Sequence, residues 1–391
     1  MKSISNKLML LAIAGVGILA AIGIQSCKKS SSPSGPAVTS TTLASGATIT
    51  AGTSTTVTIA GSNLSGANVT TTATGVTISS VTVTGSTSIT ATVAIGASVQ
   101  SGSVTLTITT ANGSTTTTIT VVGLPVIGGY ISSDSVAASN LIAYWPFDGD
   151  VNDHSSGAIA GTGVNVTYVP GLRGQAYQGS TTSYASFTPS AAMAGLQSFS
   201  LSVWYWQTAQ PVGTPNTPQG IFFLADSAGQ DPLIILENEP YSPVSGDSLR
   251  IHNGLVFPAA SAYNYFILEG FDTAAIGKWV HFVMTYNGGT STYVIYQDAV
   301  PTQDNSAYGL NLSTVLLQGP LGSTPQGNIN WSQKPPVEGT IGTWAPGVFG
   351  VSPTLGSNGN WVGKLDELRL YNRALTQLEV TGLFLNGQAG R

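Results

Sequence analysis

Gly363-Lys-Leu-Asp-Glu-Leu-Arg-Leu-Tyr-Asn-Arg-Ala-Leu375 reads as a β-strand of period two. Strict alternation sets Asp366 on the face of Leu368 and Leu370, and Glu367 with Arg369 on the other. An unpartnered carboxylate on an apolar face is costly, so Asp366 is expected to have a cation partner. A second acidic stretch, Tyr144-Trp-Pro-Phe-Asp-Gly-Asp-Val-Asn-Asp-His-Ser-Ser-Gly157, lies far upstream. Together the two stretches hold Asp148, Asp150, Asp153, Asp366 and Glu367, out of seventeen acids in a chain that is 7% charged.

Working outward, 391 residues with 47 Gly, 20 Pro and long Thr/Ser-rich stretches favour two all-β domains over a helical or α/β fold. The net charge of −5 and twelve scattered basic residues leave no footprint for a phosphate backbone, which argues against nucleic acid. The chain starts with Lys2 and Lys7, followed by an uncharged apolar run from Leu8 to Ile24 that leads into Ile-Gln-Ser-Cys27. This start resembles a bacterial lipoprotein signal. The resemblance implies a signal peptide over 1–26, Cys27 as the lipid-modified first residue of the mature protein, and a membrane-anchored lipoprotein of the outer membrane, facing periplasm or cell surface. A plain signal peptide with an incidental Cys is the rival. Cys27 is the only cysteine, so no disulfide forms within one chain. Residues 27–37, rich in Lys, Ser and Pro, read as a flexible tether.

From Ser30 to Ser133 there is no Asp, Glu, Lys, Arg or His. Val57/Ile59, Val81/Val83, Val104/Leu106/Ile108 and Ile119/Val121 alternate with Thr or Ser, as half-buried strands do. Residues 38–122 are therefore expected to form an immunoglobulin-like sandwich. The order Thr56-Val-Thr-Ile-Ala-Gly-Ser-Asn-Leu64, Ile78-Ser-Ser-Val81 and Val104-Thr-Leu-Thr-Ile-Thr-Thr-Ala-Asn-Gly113 resembles the IPT/TIG family, whose domains usually serve as spacers. A mucin-like glycosylated stalk is the alternative. Residues 123–139 read as a linker.

The remainder, 140–391, alternates aromatic and β-branched runs with Gly, Pro, Asn and Ser, as a large two-sheet jelly roll would. Thr376-Gln-Leu-Glu379 has capping-box spacing, so a short helix is expected to close the chain. Leu141-Ile-Ala-Tyr-Trp-Pro-Phe-Asp-Gly149 with Asp153-His-Ser-Ser-Gly157, then Gly171-Leu-Arg-Gly174, Tyr184-Ala-Ser-Phe187, Phe199 to Trp204, Trp279-Val-His281 with Thr285-Tyr-Asn-Gly288, and Gly363 to Leu375 follow one another. In that order they resemble the laminin-G-like, concanavalin-A-like jelly rolls of bacterial secreted proteins. Stretches 207–265 and 299–343 exceed that pattern and read as loop-rich.

In the resembled family the first and last strands lie side by side, which would bring Asp148 and Asp366 together. With Asp153 and the carbonyl of Gly149 they imply a Ca²⁺ site built from hard oxygen ligands. An EF-hand loop starting at Asp148 fails, because its sixth position is Asp153 rather than Gly and its twelfth is Ile159 rather than Glu. The rival readings are ion pairing of Asp148 with Arg369 or Arg373, or plain solvation.

Hydrolysis needs two carboxyls across a cleft. Glu237-Asn-Glu239 has the spacing for one strand face, but Pro240 follows at once and the acidic strand pattern of the related endo-glucanases is missing. No Gly-x-Ser-x-Gly elbow occurs in this half. His281 reads as a packed core residue and His252 as surface. The expectation is therefore a non-catalytic lectin-like domain that binds a glycan or other surface polymer, with Trp331, Tyr241, Glu237, Tyr263 and Tyr265 as ligand contacts. Adhesion or scaffolding through protein contacts, and glycoside hydrolysis, are the alternatives.

Overall fold

The computed structural model describes residues 34–208, 218–226, 232–241, 248–258, 263–272, 276–301, 314–316, 325–346, 354–356 and 359–391, without the side chains of 239–241, 248–250, 256–258, 263–272 and 314–316. Among these residues it is almost entirely β-structure, in two sandwiches.

The first sandwich stacks two sheets of four strands each among the described residues. One runs in the order Ala37–Leu43, Ser54–Ser62, Ser88–Ile95, Val76–Thr84, all antiparallel. The other runs Ile49–Thr50, Gly113–Val122, Gly102–Thr110, Asn68–Thr70, with the first pair parallel. Val57, Ile59, Val104, Leu106, Ile108, Ile119 and Val121 point inward, as their alternation with Thr requires. Val81 and Val83, on an edge strand, are only partly buried. The core is wholly aliphatic, and the opposite face of the second sheet carries paired hydroxyls: Thr105 opposite Thr118, and Thr107 opposite Thr116.

In the second sandwich the front sheet has seven strands among the described residues: Gly161–Val164, Tyr184–Phe187, Pro336–Ile341, Gln219–Asp226, Pro232–Tyr241, Ser248–Pro258 and Tyr263–Asp272. Stretch 207–265, expected as loops, is thus largely an antiparallel meander. Gln219–Asp226 is buried on both faces, so its sequence has no polar alternation to betray it. The back sheet runs Thr167–Pro170, Gln175–Gln178, Gly363–Tyr371, Phe199–Gln207, Trp279–Asn287, Thr292–Gln297, Val300–Pro301. Leu141–Trp145 also pairs with Gly363–Tyr371, matching Trp145 to Leu368 and Ala143 to Leu370. The first and last strands are therefore neighbours, as the family resemblance implied. Trp145, Phe187 and Phe222 form a tilted aromatic cluster between the sheets, with Trp145 and Phe187 centroids 4.8 Å apart.

Strict alternation fails in the last strand. Tyr205 faces Leu365, Trp204 faces Asp366, and Ser202 faces Arg369, so two residues of the last strand, Glu367 and Leu368, oppose Val203 alone. Glu367 takes a φ of +54°, the left-handed conformation of a bulged residue. Leu365 and Leu368 consequently both enter the core, while Asp366 shares the outer face with Trp204. Asp366 does not lie with Leu368 and Leu370, because the extra residue resets the period.

Helix Gln377–Gln388 closes the chain, and Thr376 and Glu379 form the expected capping box. The helix covers part of the back sheet's outer face: Val380 and Leu383 pack with Val136, Val283, Tyr296, Tyr371 and Leu375. The segment before the second sandwich is fastened to this helix. Asn386 Nδ2 donates to the Ile127 carbonyl at 2.9 Å, Arg391 Nη1 to the Pro125 carbonyl at 2.8 Å, and Ser133 N to the Arg391 carbonyl at 3.1 Å.

Candidate functional site

The acidic chain ends meet around one turn. Asp366, fully buried, accepts from the main-chain N–H groups of Leu172 (2.7 Å) and Arg173 (3.2 Å) through Oδ2. Asp148, exposed, accepts from Gln175 N at 2.6 Å through Oδ1. A Cβ at Gly174 would overlap Asp148 Oδ1, and one at Gly171 would press on Asp366 Oδ2, so the turn's glycines are what admit both carboxylates. The two acids thus clamp the Gly171–Gln175 turn to the first and last strands. Asp153 is occupied locally: its carboxylate accepts from Tyr144 N, Ser155 N, Ser155 Oγ and Ile159 N at 2.7–3.2 Å.

Asp366 Oδ1 is buried without a hydrogen-bond partner. Burial, reinforced by the neighbouring Glu367, pushes the Asp366 carboxyl up to about 8. A proton or a hard cation on Oδ1 would relieve it. Among the described residues no group of three or more His, Cys, Asp or Glu side chains converges. A calcium ion here would take Asp366 Oδ1, with main-chain oxygens such as that of Gly149 and water completing the six to eight ligands it prefers.

The ion pairing anticipated for Asp148 goes elsewhere. Arg369, 2% exposed, donates to Glu367 Oε2 (2.6 Å) and Asp134 Oδ1 (2.9 Å), and its guanidinium lies 4.2 Å from the Tyr144 ring centroid. Tyr144 donates to Glu367 Oε1 at 2.6 Å, and Arg173 grips both oxygens of Asp134 at 2.7 and 2.6 Å. Burial raises the Asp134 carboxyl, but Arg173 and Arg369 outweigh it and leave the group below its usual range. Arg373 pairs instead with Glu379 of the closing helix. Asp134, in the expected linker, has no sequence pattern to mark it as a partner.

The predicted ligand contacts fare differently. Trp331 is 1% exposed and part of the hydrophobic core, so its ring is no platform for a sugar. It follows Asn330 and precedes Ser332, polar neighbours that masked its inward orientation. The side chains of Tyr241, Tyr263 and Tyr265 lie outside the described residues. Glu237 is 2% exposed on the front sheet's outer face, beside Ile235, with Oε1 3.1 Å from His252 Nδ1. His252 is thus a cross-strand partner and not a surface residue. His281 is the packed residue expected, its Nε2 2.9 Å from Ser202 Oγ and its ring stacked with Trp204 at 4.9 Å. Burial, with Arg369 adding to it, pushes this imidazole down to about 3. It stays neutral, so its role is packing.

Sequence reading missed a surface on the back sheet. Phe384 stacks on Trp204 at 5.7 Å, and Gly387 lies against the same indole; beyond it the sheet's outer face continues. There Lys364, Trp206 and Trp279 stand directly opposite one another on three adjacent strands. Trp206 and Trp279 are each only partly buried, with centroids 5.9 Å apart at 75°, and Lys364 Nζ sits 4.9 Å from the Trp206 ring centroid. Lys278, exposed, precedes Trp279. Trp204 and Trp206 share one face of their strand, and of the two only Trp204 is covered by the helix.

No family model matches the sequence, and no curated protein does. Among solved structures, domain 4 of AbnA, a GH43 extracellular arabinanase from Geobacillus stearothermophilus in complex with arabinotriose, is 18% identical over 62% of this chain and 98% of that one, with a TM-score of 0.40. The heptameric SAP-like pentraxin from Limulus polyphemus is 16% identical over 48% and 70%, with a TM-score of 0.32. Trypanosoma rangeli sialidase in complex with the inhibitor DANA is 14% identical over 73% of this chain and 42% of that one, with a TM-score of 0.40. The β-sandwich architecture itself rests on the sheets described above.

Proposed function

We propose that the second sandwich is a non-catalytic carbohydrate-binding module of a lipid-anchored envelope protein, and that it holds its ligand on the uncovered end of the back sheet. The observation that carries this reading is the partly exposed Trp206/Trp279 pair, framed by Lys364. Indole faces and edges fit the CH face of a sugar ring, and side chains on paired strands of a sheet need little ordering to receive it. In this reading Cys27, outside the described residues, carries the lipid, the first sandwich is a spacer, and Ca²⁺ on Asp366 stiffens the turn that joins the strand ends.

Binding without hydrolysis is supported by the sequence: Pro240 follows Glu237-Asn-Glu239 at once, and the acidic strand pattern of the related endo-glucanases is missing.

A polysaccharide array probed with the full chain and with Trp279→Ala tests the reading. The expected result is retention on at least one glycan, weakened tenfold or more by the substitution, with an unchanged melting temperature. Retention on no glycan, or equal retention by the variant, would contradict it.

A further inference from the structure

The arginines of the back sheet and its flanking turns are held by carboxylates, and the lysine beside the tryptophan pair is not. Among the described residues Arg173, Arg369 and Arg373 each hold a carboxylate within 3 Å. Lys364, which lies over Trp206 of the Trp206/Trp279 pair, has no carboxylate partner among those residues, and neither has the exposed Lys278 that precedes Trp279 in the chain. Across the row, the residues opposite one another are Gln178, Lys364, Trp206 and Trp279, with no acid among them.

The geometry of Lys364 is specific. Its ammonium lies over the Trp206 ring, so the cation–π contact holds a flexible four-carbon chain in one place without neutralising its charge. An ammonium has three donors, and the ring satisfies none of them as a carboxylate oxygen would. Trp279 meets Trp206 nearly edge to face, so the pair presents an apolar step beside that fixed positive charge. A neutral sugar would use the step and leave the ammonium in water. A sugar carrying a carboxylate can use both at once, with its ring against indole and its carboxylate on Lys364 Nζ, and Lys278 adding longer-range attraction. In a chain of net charge −5, an uncompensated lysine fixed over one ring of an aromatic pair is a selective feature and not a general basic coat.

We infer that the back-sheet surface formed by Trp206, Trp279 and Lys364 selects acidic polysaccharides, with uronate residues as the recognised unit. This inference rests on the carbohydrate-binding reading above and adds the ligand's charge to it.

The test titrates the full chain, following tryptophan fluorescence, with three uronate polymers (polygalacturonate, alginate, hyaluronan) and two neutral ones (galactan, dextran). The same titrations are run on Lys364→Gln and on Trp279→Ala. At least one uronate polymer is expected to bind ten times or more tighter than either neutral polymer. Lys364→Gln should bring that polymer down to the neutral level, and raising salt from 0.05 to 0.3 M should weaken it. Lys364→Gln alters a side chain at the surface, so it tests selectivity even if Trp279→Ala disturbs the sheet. Equal or tighter binding of a neutral polymer overturns the uronate inference and leaves the carbohydrate reading standing. So does uronate binding that Lys364→Gln leaves intact. Binding of none of the five overturns both, as does uronate binding indifferent to Trp279→Ala when that variant melts like the parent.

Discussion

Between Ala37 and Val122 the first sandwich has no aromatic residue and no charge, and it closes on Val, Ile, Leu and Ala alone. Between Leu141 and Arg391 the second holds all seven tryptophans and the buried Glu367 paired with Arg369 and Arg173. Both are two-sheet β-folds, so architecture does not separate them; chemistry does. Neutral hydroxyl rows such as Thr105/Thr118 and Thr107/Thr116 give a soluble surface with no acid, base or aromatic plane. The second sandwich carries the groups that recognise ligands, and it also carries their cost: charges that must be held in low-dielectric surroundings by exact numbers of partners.

The largest expected effect tests that cost. Arg369→Leu would leave Glu367, 1% exposed, without its main counter-charge and should destabilise the second sandwich by about 3–5 kcal/mol. Chemical denaturation followed by tryptophan fluorescence reads this sandwich alone, since the first has no tryptophan. Adding Glu367→Gln to Arg369→Leu should recover part of the loss. A single Arg369→Leu shift under 1 kcal/mol would break the comparison.

A pH series sharpens it next. Asp366, raised to about 8 from 3.8, binds its proton more tightly folded than unfolded. Its contribution is therefore fully present below pH 3.8 and is lost as pH rises toward 8, by about 1.4 kcal/mol per unit within that window. Between pH 6.5 and 8, tryptophan-detected stability should fall in chelator, hold steady in Asp366→Asn, and hold steady in the parent with millimolar calcium. No difference between chelator and calcium would sink the proposed metal. His281, lowered to about 3 from 6.5, acts with the opposite sign: in Asp366→Asn, stability should fall as pH drops from 6.5 toward 4.5, by a similar amount per unit. A flat profile there would mean that the imidazole is not buried as described.

The smallest expected effect lies in the first sandwich. Thr107→Ala, on its hydroxyl-covered face, should change stability by no more than about 0.5 kcal/mol and leave polymer binding untouched. Any loss of binding would move function into the region read as a spacer.

How much of this was legible depended on the kind of signal. Alternation exposed the strands around Leu106 and Ile119, and capping chemistry placed the helix at Gln377. The neighbouring first and last strands came from family resemblance and not from the residues themselves. Alternation then misplaced Asp366, because one left-handed residue, Glu367, resets the period and nothing in Leu-Asp-Glu-Leu announces it. Strands buried on both faces, such as Gln219–Asp226, lose the pattern by which strands are recognised. Trp331 and Trp206 show the same limit at the site. Both are tryptophans near polar residues, yet one is core and the other partly exposed, and the difference lies in what the rest of the chain lays over each.

The central claim is that recognition belongs to the back sheet of the second sandwich. Hydrogen exchange of the full chain, with and without a saturating polysaccharide that it binds, tests it most directly. The account predicts new protection in Phe199–Gln207, Trp279–Asn287 and Gly363–Tyr371 at the ends bearing Trp206, Trp279 and Lys364, with residues 37–122 unchanged. Protection confined to residues 37–122, or to the front sheet, would contradict it.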